Sequence, residues 1–483
     1  MRKRRQVMQN RRLLRVMAIS IGVVLGATTM TGCSDDDGTV EVTVGYQSKT
    51  INTVTAGTLL KARGYFEKAL AAETEKTGVR YDVRWEDYDT GAPITAQMLA
   101  GKIDIGSMGD FPLVLNASRT YPQADARTEL IATTAFNMAG GLNGIVVPSE
   151  STIEDVAGLR GATVSTSVGS AGDGLLAQTI DAAGLQPTDI DRQNQAPSVG
   201  ATSLKAGSVA AYSQFAPWPA QEVWNGDGRL LVDGATTANP TFHGVVVGEQ
   251  FARTQPAVVQ AFLQGMSEAT DYLHAQPLDA AKEVAEATGL PLEVVYLYNG
   301  PFGIANFNMA LKPALVTALQ KDSDYLRKTD GTIDPHLTSF ADDSHLKRLF
   351  GEDYAQMLDS DINQAAPGTV QEGCGDSAGE NGPPSAILWK GEAGASFYGT
   401  PGCLLAAATK ADAEIRAAYV SDGLTGTRWF AEKSIWTYDP AAPTDKRWAA
   451  FATAENASKY ASDKPESRQY TFAGAEEFSR ASG

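Results

Sequence analysis

The 483-residue sequence predicts an α/β chain folded as a two-lobed clamshell, with a small α+β domain behind it. Three observations point there. Strand and helix signals alternate along residues 40–138, the same alternation restarts after residue 145, and the composition changes abruptly between residues 361 and 384. Alternating strands and helices build a parallel sheet with right-handed crossovers, and a second such unit inserted into the first leaves a cleft between two lobes.

The first unit opens with Val40-Glu41-Val42-Thr43-Val44, which alternates as a strand does and is stopped by Gly45. A helix is expected from Ala56 to Arg63, a strand over Tyr81–Trp85, a helix over Ile94–Ala100, and a third strand through Ile103-Asp104-Ile105. In the second unit, Ile153–Val156 reads as a short helix, Ala162–Ser165 as a strand and Gly172–Ala183 as a helix. Ser198–Ala206 reads as a helix and Val209–Gln214 as a strand. Leu230-Leu231-Val232 is expected to return toward the first unit, which Gly244–Val247 re-enters, and residues 252–330 carry helical apolar spacing. The first lobe therefore takes residues 40–138 and 243–350, and the second takes 139–242. Residues 351–384 read as a linker, rich in Gly, Pro, Asn and Ser from 361 on. About 100 residues then remain for a domain at 385–483, with strand signals at Ser385–Trp389 and Ala417–Val420 and a helix at Thr453–Tyr460.

Charge is distributed unevenly. Of the 40 Lys and Arg, seven lie within residues 1–32, where no acidic residue occurs; the other 33 face 57 Asp and Glu, a net charge of −24. So acidic a body repels nucleic acid, and no basic stripe offsets that. The basic stretch ends at Arg15, the apolar run Val16–Gly26 follows, and small residues lead to Thr31-Gly32-Cys33. This is the order of an export signal over residues 1–32, with an apolar run short for a bilayer about 30 Å thick. Thr29-Met30-Thr31-Gly32-Cys33 resembles the bacterial lipobox without its usual leucine, which implies acylation at Cys33 and a polar tether over 33–39. Two acyl chains anchor stably where one does not. The export route, general or twin-arginine through Arg11-Arg12, stays open. An extracytoplasmic chain held to the membrane by lipid is the expected location.

Gly45-Tyr46-Gln47, Lys61–Phe66, Ala100–Gly106, Gly109-Asp110-Phe111-Pro112 and Ile153–Gly161 occur in an order that resembles solute-binding proteins for aliphatic sulfonates, taurine and nitrate, over roughly residues 40–330. The resemblance implies a type II periplasmic-binding-protein-like fold. It also implies a small anionic ligand held between the lobes, and an ABC permease with its ATPase subunit as partners. Open α/β sheets place ligands at the carboxyl ends of their strands, which nominates Gln47, Thr53, Gly109 and Asp110 in the first lobe. In the second, Ser165, Ser167 and Ser170 fall on a loop before a helix, where free N–H groups favour an oxyanion; a plain capped loop is the alternative. Asp110 would oppose an anion unless it meets an amine or caps the next helix. Pro217-Trp218-Pro219 presents an indole after a strand, with Tyr212 a second aromatic candidate; both could equally be core. His243 reads as structural.

No phosphate-binding Gly-Lys-Ser/Thr loop or His-Glu-x-x-His occurs, and the four histidines lack ligand spacing. No catalytic residue, metal ligand or cofactor is nominated. Tyr398–Leu405, Tyr419–Asp422, Trp429–Lys433 and Trp448–Ala457 resemble nitrous-oxide-reductase accessory copper lipoproteins of NosL type. That family binds Cu(I) through soft sulfur. Cys374-Gly375 falls where its Cys-Gly-Met stands, but Asp376 replaces the methionine and no methionine follows Met357. A Cys374–Cys403 disulfide is the other use of these cysteines in an exported chain. The second functional reading is thus a copper-handling lipoprotein, or an enzyme with the clamshell as its substrate domain.

Overall fold

The computed structural model describes residues 38–329, 331–361, 364–365, 383–410 and 412–482. Residues 1–37, with the expected signal and Cys33, and Cys374 with most of the expected linker lie outside the described residues.

Strands β1 (Thr39–Tyr46), β2 (Arg80–Asp87), β3 (Ile105–Gly109) and β4 (Thr128–Asn137) begin the first lobe. The chain then crosses into β5 (Asn143–Pro148), β6 (Thr163–Thr166), β7 (Asp191–Asn194), β8 (Ala211–Phe215) and β9 (Gly228–Asp233). It returns through β10 (Thr241–Gly248) and adds the short β11 (Asn306–Phe307). The first sheet runs β11-β4-β10-β3-β1-β2 and the second β7-β6-β8-β5-β9. In each, parallel pairs (β1 with β2 and β3; β6 with β7 and β8) meet antiparallel strands from the crossings. β3, β8 and nearly all of β4 are buried, as expected of strands covered on both faces.

Two crossings join the lobes, residues 138–142 and 234–240. Asn137 fixes the first: its Oδ1 accepts from the N–H of Ala139, Gly140 and Gly141, each at 3.0 Å. Gly140 has φ +107°, and a Cβ there would lie 2.8 Å from the carbonyl oxygens of Gly234 and Asn239 on the other crossing. Only glycine combines that backbone with so close an approach.

The structure corrects several local expectations. Residues 153–156 are not helical; the turn is a 3₁₀ segment at Ala157–Leu159. Arg229 draws the carbonyls of Ser151 and Ile153 away from helical bonding by donating to both. The helix expected from Ala56 is split into a 3₁₀ turn, Ile51–Ala56, and a helix, Thr58–Arg63, at Gly57, where a Cβ would meet the Tyr46 ring at 2.9 Å. Leu230–Val232 does not leave the second lobe but forms its edge strand against β5. The helix Tyr354–Asp359 falls within the expected linker, yet it stays with the first lobe: Tyr354 is buried and Lys312 donates to the carbonyls of Met357 and Leu358.

The C-terminal unit holds β12 (Ser385–Trp389), β13 (Ala395–Tyr398), β14 (Ile415–Ser421) and β15 (Arg428–Phe430) in an antiparallel sheet ordered β13-β12-β14-β15. A smaller sheet takes β16 (Ile435–Tyr438), β17 (Trp448–Phe451) and β18 (Arg468–Tyr470) in the order β17-β16-β18. The inner face of the four-stranded sheet is continuous with the clamshell core: Leu388, Phe397, Tyr419 and Phe430 cluster with Tyr296, Leu297 and Phe307. Arg428, 2% exposed, donates to the Pro301 carbonyl and lies 4.6 Å from the Tyr419 ring. Thr425 Oγ1 reaches across to Asp233 Oδ2 of the second lobe at 2.7 Å. No helix among the described residues is long and apolar enough to cross a membrane.

Candidate functional site

The lobes face each other in a closed arrangement. Phe111 of the first lobe lies against Gly174 of the second, so tightly that a Cβ on Gly174 would fall 2.1 Å from the ring. A Cβ on Gly169 would likewise be 3.0 Å from Leu115. Phe215 meets His243 edge-on at 6.4 Å, and Lys49 Nζ stands 5.9 Å from the Trp218 ring. These four pairs mark the surfaces that meet, and the polar groups around them form the candidate site.

On the first-lobe side, β1 ends at Tyr46 and the chain turns into the 3₁₀ segment Ile51–Ala56. Gln47 donates to the Ser107 carbonyl at 3.0 Å. Asn52 bonds His243 Nδ1 at 2.7 Å, and burial lowers the His243 pKa to about 3, so the ring is neutral. Asn52 Oδ1, Thr53 Oγ1 and Ser107 Oγ are buried without a protein partner. Unpartnered buried polar atoms cost about 1–3 kcal/mol each, which makes such a concentration informative. Gly109 packs on His243, its absent Cβ 3.2 Å from the imidazole. Asp110 is 2% exposed; its Oδ1 accepts from Phe111 N–H and its Oδ2 from Thr241 Oγ1 at 2.5 Å. Its carboxylate is thereby spent on its own helix and on the first residue of β10.

On the second-lobe side, the loop before the helix Ala171–Ala182 is largely self-satisfied. Ser170 Oγ caps Asp173 N–H, Ser167 Oγ donates to the Gln195 carbonyl and accepts from Gln214 Nε2, and Gly169 N–H donates to Asp173 Oδ2. The Asp173 carboxylate already sits at the positive end of this helix and pairs with Arg192 at 3.1 Å. Ser165 Oγ is against Gly200, on the face turned to the helix Pro197–Lys205. Tyr212 is fully buried in the lobe and donates to the Pro197 carbonyl at 2.8 Å, so its hydroxyl is occupied inside the lobe. Trp218 begins the helix Trp218–Asn225, is 5% exposed, and turns a face toward Lys49. The structure thus brings Gly109, against His243, and Trp218 to the meeting surfaces, leaves Gln47 and Thr53 buried in the first lobe, and keeps Ser165 and Tyr212 within the second. Sequence reading passed over Lys49, Asn52 and Gln214. Lys49 had one signal, a cation two residues beyond Gln47, which follows the end of the first strand.

A roomier groove of about 360 Å³ lies between the helix Ala171–Ala182 and Tyr325. Its cations are already matched: Arg192 with Asp173 and Lys328 with Asp181 at 3.0 Å. It offers an anion little.

Two lobes of mixed sheet, twice crossed, with ligand-competent surfaces at the strand ends, define the periplasmic-binding-protein fold. The chain belongs to the NMT1-like family, whose model matches residues 35–289. It is 27% identical over 255 residues to an Escherichia coli (strain K12) protein named for binding aliphatic sulfonates, covering 53% of this chain and 74% of that one. A Bacillus subtilis (strain 168) protein of the same name is 25% identical over 343 residues, 70% of this chain and 96% of that one. Among solved structures, the alkanesulfonate-binding protein from Xanthomonas axonopodis pv. citri bound to MOPS superposes with a TM-score of 0.50 at 22% identity, covering 61% of this chain and 94% of that one. The periplasmic nitrate-binding protein of Synechocystis PCC 6803 gives 0.51 at 14% identity, over 66% and 91%. At these identities the structures establish the shared fold.

Proposed function

We propose that this chain is the extracytoplasmic solute-binding component of an ABC importer, and that it holds a small anion of the sulfonate, taurine or nitrate kind between its lobes. The observation that carries the reading is the meeting of Lys49 with Trp218 across the cleft, on the same first-lobe turn that carries the unpartnered Asn52 Oδ1 and Thr53 Oγ1. Lys49 supplies charge, the indole supplies an apolar wall for an alkyl or aryl group, and Asn52 supplies an amide. His243 can tune Asn52. With the imidazole proton on Nδ1, Asn52 turns its NH₂ toward the gap as a donor; with the proton on Nε2, it turns its oxygen there. An anion in the gap selects the first tautomer.

The names of the relatives support this ligand class, and a permease and ATPase follow as partners. Acylation at Cys33 remains part of the proposal. For the C-terminal unit we propose a structural role: Cys403 is in a disulfide, which takes its sulfur out of thiolate chemistry, and the unit shares the clamshell core.

The test is isothermal titration with alkanesulfonates, taurine, nitrate and an uncharged alkyl control. Micromolar binding of one anion class is expected. Trp218→Ala should weaken it by about 1–3 kcal/mol, roughly ten- to a hundredfold, and Lys49→Gln should weaken it without moving the melting temperature. No binding by any anion, or binding indifferent to both substitutions, would sink the proposal.

A further inference from the structure

Beside Phe111, where the two crossings meet the helix Pro313–Thr329, a small cavity of about 10 Å³, walled on one side by Phe111 and Leu175, is lined by Asp110, Asn143, Asn239, Thr241 and Asp322. That is room for one water or one bare ion, and far too little for an organic solute. Its chemistry is lopsided. Asp110 and Asp322 are 2% and 0% exposed, and each raises the cost of ionising the other.

The hydrogen bonds do not close. Asn143 spends its NH₂ on Thr241 Oγ1 at 3.2 Å, and Thr241 spends its hydroxyl proton on Asp110. Asn239 spends its NH₂ on Asp322 Oδ1, at a long 3.4 Å. Three oxygens on these lining residues are left without a donor: Asn143 Oδ1, Asn239 Oδ1 and Asp322 Oδ2. All three are acceptors. Carboxylate and amide oxygens, acceptor-only and buried around a space of one ion, are the ligand set of a hard cation.

We infer that this cavity is a hard-cation site, calcium being the ion whose charge matches the two carboxylates. The ion would neutralise them and occupy the orphaned oxygens together. Its position gives it a consequence. Asp110 begins a first-lobe helix, Asn143 opens β5 directly after the first crossing, Asn239 lies on the second crossing, and Asp322 is on a helix that also grips the second lobe through Lys328 and Asp181. A bound ion therefore fastens the hinge rather than touching the solute.

A second cluster, Glu129, Asp342 and His345, brings ligand-type atoms within 4.8 Å of one another. His345 Nε2 already lies 3.0 Å from Glu129 Oε1, and the cluster serves as the control.

The experiment is equilibrium dialysis of the full chain against radioactive calcium, with thermal unfolding in calcium and in chelator. One calcium per chain and a higher melting temperature in calcium are expected. Asp322→Asn should lose both, and Glu129→Gln should keep both. Should Asp322→Asn fail to fold, Asn239→Ala, at a half-buried position, should fold and weaken calcium binding. Absence of bound calcium overturns the inference, as does calcium retained in full by Asp322→Asn or Asn239→Ala. A neutral, protonated Asp322 would reveal itself by no calcium response and by an Asp322→Asn variant more stable than the parent above pH 7.

Discussion

At the scale of single residues, lobe closure depends on an absent side chain. Gly174 lies in the helix Ala171–Ala182, where glycine costs about 0.5–1 kcal/mol relative to alanine. Phe111 fills the space a side chain would take, within 2.6 Å at three ring atoms. Gly174→Val should therefore hold the lobes apart while each keeps its own core. A larger radius of gyration by solution scattering and weaker solute binding are expected, and a scattering curve unchanged from the parent would count against the closed contact. The same scale explains why some nominated residues were misplaced. Ser165 and Thr166 are adjacent in β6, so their side chains point to opposite faces. Nothing in the local sequence says which face looks into the cleft. Tyr212 reads as an available aromatic until the Pro197 carbonyl arrives from another segment to take its hydroxyl.

Among the elements, the loop after β15 places a carboxylate where water does not reach. Glu432 accepts from Ala418 N–H on β14 at 2.9 Å, while its second oxygen is buried unpartnered. Burial pushes its pKa up to about 7, with Glu476 adding to the shift and Lys433 opposing it. The folded chain thus keeps a proton that the unfolded chain has released from about pH 4.5 upward. Stability from this group is full below that pH, falls as pH rises toward 7, and then levels off. Glu432→Gln keeps the oxygen that accepts from Ala418 and removes the titration. Denaturant unfolding should show the variant equal to the parent near pH 4 and more stable at pH 8, by roughly 3 kcal/mol at most. Equal pH slopes for the two proteins would show that Glu432 is ionised in the fold.

For the whole molecule, the C-terminal unit is not an appendage. Arg416 pairs with Glu293 at 2.8 Å, Tyr419 donates to the Glu293 carbonyl, and Phe430 packs on Trp224 of the second lobe with rings 4.9 Å apart. Large apolar side chains shared across a boundary couple the unfolding of the parts they join. Calorimetry should give one transition for the clamshell and the C-terminal unit together; two well-separated transitions would refute the coupling. The location is tested separately. Cys33→Ala should release the chain from washed membranes into the medium, and a variant that stays bound would refute lipid anchoring.

The sequence by itself determined the α/β alternation, its restart after residue 145, and β1, β2, β3, β6, β8 and β10 of the two sheets with β12 and β14 of the C-terminal unit, but not β4, β5, β7 or β11. Each of these is a local pattern of apolar spacing and turn residues, and the family relation follows from the same segments. It also singled out Trp218, because a rigid Pro-Trp-Pro after a strand is a local statement, but left open whether the indole faces the cleft or the core. Only the tertiary structure decided which hydroxyls and carboxylates face the other lobe, and that residues 354–359 belong to the first lobe. It alone set Asp110 and Asp322, more than two hundred positions apart, around one small cavity. The reason is physical. A side chain's direction alternates every residue in a strand, and its partners come from distant segments. Burial, hydrogen bonding and charge at a site are therefore properties of the closed fold, which local sequence does not carry.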